Sequence, residues 1–193
     1  MLSVLLFIFD KILQQLIKKF MRRISVLLST ILISFGAASQ TNSATNVTAV
    51  HDTPAPYLKD PYIPSFTIQM PNSKWFSKAD LQPGRPTLIL YFSPDCGHCQ
   101  LETEELLSKM KEFNNLQIVM ITSRPFEDMK NFAEHYMIKR FPAITIGTDP
   151  ARLVTSFYDV RFTPFSALYD KKGKLIKVYE KQIDMKEMAS LVK

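Results

Sequence analysis

The only two cysteines of the 193-residue chain, Cys96 and Cys99, are separated by Gly97 and His98. Two thiols at this spacing can exchange electrons with a disulfide. One attacks, a mixed disulfide forms, and the second displaces the first to release the product. The residues before the pair, Leu88 to Tyr91 and Phe92, are apolar throughout, as in a strand covered on both faces. After it, Leu106, Leu107, Met110 and Phe113 recur at helical spacing, which predicts a helix over about 97–114. The pair therefore lies where a buried strand gives way to a helix. A helix start presents unpaired N–H groups and a partial positive charge, and both stabilise a thiolate. Cys96, at the mouth, is expected to be the exposed nucleophile, and Cys99, one turn deeper, the resolving thiol. His98 offers a further cation beside the thiolate, which favours the reduced form and a more oxidising couple. The competing readings are an inert structural disulfide and a metal site. Zinc wants four ligands; His51 lies in the N-terminal stretch and His135 on a later helix, without ligand spacing, and both read as surface residues. No metal and no organic cofactor is implied.

A second signal is Phe162-Thr163-Pro164-Phe165, just before an apolar run. Proline cannot donate to a strand ladder, so its entry into a strand needs a reason. A cis Thr163–Pro164 bond would supply one by letting the Thr163 backbone face a neighbouring loop. The elements that must carry these residues follow from hydrophobic period. Residues 66–70 alternate as an edge strand, and Trp75 reads as a packing residue beside it. Residues 118–121 form a second buried strand, and Met129, Phe132, Ala133, Tyr136 and Met137 a second amphipathic helix. A short strand follows at 143–146. Asp149 then caps a helix with Pro150 at its first position and Ala151, Val154, Phe157 and Tyr158 facing inward. Residues 165–169 and 175–179 flank a hairpin turn, and Met185, Met188, Ala189 and Val192 close the chain with a helix. The order βαβα, βα, β-hairpin, α predicts an α/β fold with a mixed central sheet sandwiched by helices.

With the strand-then-Cys96-Gly97-His98-Cys99 motif, Thr163-Pro164 before the hairpin, and the extra strand and helix at 143–158, the chain resembles the thioredoxin superfamily. Residues 62–193 look like the extracytoplasmic thiol–disulfide oxidoreductases of the TlpA/ResA kind, also labelled redoxin or AhpC/TSA-like. The resemblance implies a thioredoxin-like fold, Cys96 as nucleophile, Cys99 as resolving cysteine and Pro164 as a cis-proline packed against them. Thr163 would offer backbone bonds to a substrate chain. It also implies protein clients carrying thiols or disulfides, a membrane electron donor and a reductase direction. Two positions depart from the pattern. Asp95 stands where tryptophan is usual before the first cysteine, and Leu90 where a buried aspartate is usual. Asp95 could cap the helix, though its charge would oppose a Cys96 thiolate. Glu102, one turn after Cys99, could replace the missing proton acceptor, but a solvated carboxylate is the expectation there. Two other activities fit the same region. A thiol peroxidase of the AhpC/TSA type would want Pro and Thr or Ser seven and three residues before its cysteine; Ser93 fits the second position and Ile89 fails the first. A copper-binding protein without turnover would need a distant histidine, and His135 is poorly placed for it.

The remainder of the chain concerns location. Met21-Arg22-Arg23 and the apolar stretch 24–38 read as a secretory signal, with Ala37-Ala38-Ser39 preceding a cut before Gln40. An extracytoplasmic, periplasmic protein is expected, with membrane anchoring as the alternative. Residues 1–20 fit a signal badly, which suggests Met21 as the start. A membrane-surface helix built on Leu13, Leu16, Ile17 and Phe20 is the competing view. Residues 40–61 read as a flexible tether into a domain at 62–193. Residues 1–39 carry five basic side chains and Asp10, a balance of +4 out of a net +6. The basic excess therefore belongs to the leader and gives no argument for nucleic-acid binding. An apolar content of 46% with five glycines excludes disorder for most of the chain, and two cysteines exclude a disulfide scaffold.

Overall fold

In a computed structural model, the described residues are 54–192 apart from 114, together with Gln15 and 17–19, which are helical. The chain divides into two units, 1–49 and 50–193. The expectations for the signal, its cleavage, the start of the tether and His51 fall outside the described residues.

The second unit is built on seven strands: β1 (Thr67–Gln69), β2 (Trp75–Ser77), β3 (Thr87–Tyr91), β4 (Gln117–Thr122), β5 (Ile144–Thr148), β6 (Phe165–Tyr169) and β7 (Leu175–Tyr179). They form one sheet in the order β2-β1-β5-β4-β3-β6-β7. The β3–β4 and β4–β5 pairs are parallel, whereas β1–β2, β1–β5, β3–β6 and β6–β7 are antiparallel. The helices are α1 (Pro56–Lys59), α2 (Gly97–Ser108), α3 (Phe126–His135), α4 (Leu153–Tyr158) and α5 (Met185–Leu191), with single 3-10 turns after β2, α2 and α3.

Every residue of β3 and β4 is buried, as a strand covered on both faces requires. Successive side chains then divide between two cores. Leu88, Leu90, Ile118 and Met120 pack with Leu106 of α2, Met129 and Phe132 of α3, and Met185 and Met188 of α5. Ile89, Tyr91, Val119 and Ile121 pack on the opposite face with Val154 and Tyr158 of α4. The expected mixed sheet between two helical layers is what forms.

Three local expectations differ. β2 did not register as a strand, and its Trp75 is 57% exposed instead of packed. The helix at 151–158 starts later, with Arg152 as its cap and Pro150 ahead of it. Asp149 still serves this start from further back, because its Oδ2 accepts the Val154 N–H at 2.9 Å. Residues 54–61, expected as tether, already belong to the folded unit. Tyr57 packs on Tyr158 with ring centroids 5.8 Å apart, and the Leu175 N–H donates to the Pro61 carbonyl at 2.6 Å.

Candidate functional site

The site lies past the end of β3, where the chain turns sharply into α2. The Phe92 N–H donates to the Ile121 carbonyl at 2.9 Å, tying the turn to β4. The Cys96 N–H donates to the Ser93 carbonyl at 3.1 Å, and Gln100 Nε2 holds the Pro94 carbonyl at 2.9 Å. Cys96 is thereby fixed as the N-cap of α2, with Gly97 as the first helical residue. A Cβ on Gly97 would meet nothing within 4 Å, so no steric demand explains glycine at that position.

Both thiols are free. Cys96 is half-buried, and its Sγ donates to the Thr163 carbonyl at 3.5 Å. The Thr163–Pro164 peptide that presents this carbonyl is cis, and Pro164 is buried. Partial burial pushes the Cys96 thiol up. The Cys99 thiol and N–H, the Thr163 side chain and the His98 N–H outweigh it and hold the group below its ordinary value. The contribution of His98 comes through its backbone. Its ring is exposed at the surface and is not the cause of the lowering. Cys99 is completely buried. Burial pushes its thiol up to about 12; the Ser93 N–H and the Thr163 side chain oppose this, and the neighbouring Cys96 thiol and its charge reinforce it. One helix start thus carries two thiols of opposite character.

Glu102 corrects the expectation of a solvated carboxylate, because it is only 1% exposed. It lies three residues after Cys99 on the buried face of α2, where side chains at this spacing are neighbours. Its Oε2 accepts the Ile183 N–H at 2.8 Å, whereas Oε1 has no hydrogen-bond partner. Burial pushes the carboxyl up to about 7 against the Ile183 N–H; the Glu105 charge adds to the rise and the nearby Ser166 hydroxyl reduces it. The sequence did contain the signal. Cys99, Glu102, Thr103 and Leu106 fall at i, i+3, i+4 and i+7, the spacing of a buried helical stripe.

Asp95 does not cap α2. Its carboxylate accepts from the Ser93 hydroxyl and pairs with Arg124 Nη2 at 3.2 Å. The Ser93 hydroxyl and then the local backbone hold it below the usual carboxylate range; burial offsets part of this, and Arg124 adds a smaller lowering. Its charge, expected to oppose Cys96, is therefore compensated from the other side. Arg124 follows β4, and the contact spans 29 residues, so no local pattern could have revealed it. His135 is exposed on α3. Among the described residues no group of three or more His, Cys, Asp or Glu side chains could hold a metal ion.

Chemically, the arrangement offers an accessible thiol held below its ordinary value, a buried thiol pushed up to about 12, and a buried carboxyl pushed up to about 7. No helix among the described residues is long and apolar enough to cross a membrane.

Comparison with known proteins supports the fold. The AhpC/TSA family model matches residues 60–189. A secreted Mycobacterium tuberculosis disulfide oxidoreductase, homologous to E. coli DsbE, superposes with a TM-score of 0.55 at 21% identity, over 66% of this chain and 93% of that one. The exposed lipoprotein thioredoxin Etrx1 of Streptococcus pneumoniae gives 0.53 at 18% identity, over 67% and 98%. A candidate thioredoxin from Neisseria meningitidis gives 0.56 at 24% identity, over 67% and 85%. At these identities the likeness establishes the fold. No curated protein sequence matches the chain.

Proposed function

This chain belongs to the AhpC/TSA family, and within it we propose a thiol–disulfide oxidoreductase that reduces protein disulfides through Cys96 and Cys99. The observation that carries this reading is the opposite tuning of the two thiols. Cys96 is reachable and held down, while Cys99 is sealed and pushed up to about 12. A thiolate is the attacking species in exchange, so only Cys96 is ready to open a client disulfide.

The reaction then runs in two displacements. Cys96 Sγ bonds to one client sulfur, the client S–S bond breaks, and the departing client sulfur takes a proton. This step removes the Cys96 charge, one of the causes that raise Cys99. Cys99 then yields its proton to Glu102 and attacks Cys96 Sγ. The Cys96–Cys99 disulfide forms, the mixed disulfide breaks, and the second client sulfur leaves as a thiol. Two electrons pass from the dithiol to the client, and an external dithiol donor restores the pair. Glu102 suits the proton transfer because a group that titrates near working pH both accepts and releases protons.

The peroxidase alternative wants Pro seven and Thr or Ser three residues before Cys96, and Ile89 stands at the first position. Ser93 fits the second position but its hydroxyl is engaged by Asp95, and both observations favour dithiol exchange. A cell-envelope location and a membrane electron donor complete the proposal. They draw support from the leader and from structural neighbours described as secreted or as an exposed lipoprotein. Rapid acid quench of intact cells followed by thiol alkylation tests the direction. The pair is expected mostly reduced, turning oxidised when the donor is removed. A mostly oxidised pool in undisturbed cells overturns the reductase direction, and peroxide turnover far above that of free cysteine overturns the exchange reading.

A further inference from the structure

A groove of about 990 Å3 opens beside the Thr163 carbonyl that receives Cys96 Sγ. Its lining includes Arg124, Arg152, Arg161 and Thr163, and no carboxylate. Three arginines therefore line the groove that opens beside Thr163. The backbones of two of them are held. The Arg124 N–H donates to Thr122 Oγ1 at 3.2 Å, and Thr148 Oγ1 donates to the Arg124 carbonyl at 2.8 Å. The Arg152 carbonyl accepts the Thr155 and Ser156 hydroxyls at 2.9 and 3.0 Å.

The three differ in what they already hold. Arg124 pairs with Asp95 at 3.2 Å and Arg161 with Asp159 at 2.8 Å. Arg152, an exposed side chain, takes part in no ion pair among the described residues. The groove thus keeps a net positive charge: Arg152 is unpaired among the described residues, and Arg161, whose pair with Asp159 is exposed and weak, can turn to a client carboxylate. Phe162, 80% exposed, stands on the same lining beside Arg161 and offers an aromatic surface of the kind that anchors protein contacts.

From this juxtaposition we propose that the groove selects its clients: it binds an extended client segment carrying aspartate or glutamate close to the reacting cysteine, with Arg152 and Arg161 as specificity-determining residues. The inference rests on the exchange reaction proposed above and adds the class of substrate. Complementary charge steers encounter more than it strengthens the final complex. Single exposed ion pairs are weak, so two of them produce a preference of roughly three- to tenfold. The preference fades with salt, because exposed charges are screened.

The test uses the full-length reduced protein and three disulfide-linked peptides of equal length, differing only in whether the residues around the cysteine are glutamate, glutamine or lysine. Second-order rate constants for reduction are measured at low and high salt. The expected order is glutamate over glutamine over lysine, with the spread collapsing at high salt. In Arg152→Gln and Arg161→Gln the glutamate-to-glutamine ratio falls toward one; using the ratio removes any general loss of activity. Equal rates for the three peptides, or a preference that survives both substitutions, overturns the proposal. A glutathione disulfide arm separates the source of the carboxylate: arginine dependence seen with glutathione and absent with the peptides also overturns it. An uncharged aromatic disulfide reports the exchange reaction itself, so failure with every substrate condemns the function, while failure of selectivity alone condemns the groove.

Discussion

Replacing Glu102 by glutamine should make the protein more stable and less active at the same pH. Burial moves the Glu102 carboxyl from an ordinary 4.5 to about 7. Between those values the unfolded chain has lost the proton and the folded chain keeps it, so stability falls as pH rises. The contribution is complete below pH 4.5, declines through the window and is flat above about 7. At about 1.36 kcal/mol per pH unit, the total is about 3 kcal/mol. Glutamine stays neutral throughout. It keeps an oxygen for the Ile183 N–H and brings an NH2 group toward Ser166, whose hydroxyl has no partner. Urea unfolding at pH 4.5 and pH 8 measures the outcome. The two proteins should match closely at the lower pH, and Glu102→Gln should be more stable by up to about 3 kcal/mol at the higher. Release of the client from its mixed disulfide should meanwhile slow by roughly a hundredfold or more, the usual worth of a positioned base, and lose its inflection near neutral pH. If both proteins show the same pH dependence of stability, the carboxyl is not held protonated by burial. If release keeps its inflection, Glu102 is not the acceptor.

Cys96 should alkylate with a midpoint below the free-thiol value of about 8.5, because three N–H and hydroxyl-bearing neighbours favour its thiolate; a midpoint at or above that value would remove the nucleophile assignment. Cys99→Ser should trap mixed disulfides with clients on non-reducing gels and Cys96→Ser should not, since Cys99 is fully buried; equal trapping would mean the roles are not divided. Gly147→Ala should destabilise by roughly 1–3 kcal/mol, because its Cβ would lie 2.8 Å from the Gln69 carbonyl oxygen and 3.0 Å from Ile68 carbons. The melting midpoint should drop by several degrees without a change in Cys96 alkylation, and an unchanged midpoint would show that β1 gives way.

Long apolar runs and helical stripes were readable because burial on two faces leaves no other pattern for β3 and β4. β2 escaped because three residues with an exposed tryptophan, paired only to β1, bury too little to leave a signature. The start of α4 was misplaced because an aspartate accepting from Val154 looks in sequence like a cap beside Pro150. At the site, the thiol pair and Thr163-Pro164 were legible as residue types in sequence. Glu102 was legible as a position on the stripe and misjudged as a charge, since local sequence does not say what covers it. The pairing of Asp95 with Arg124 is tertiary throughout, and so is the arginine groove.

The hydrogen bond from the Ile183 N–H to Glu102 joins residues 81 positions apart. The segment that closes over the carboxylate, together with Met185 and Met188 of α5, follows all seven strands in the chain. Removing this segment would leave the seven strands and the thiol pair in the chain and open Glu102 to water, taking away the burial that raises its carboxyl. On the proposed mechanism, a molecule clipped before Ile183 would seize partners and release them slowly, so this one closing segment separates a covalent trap from a catalyst.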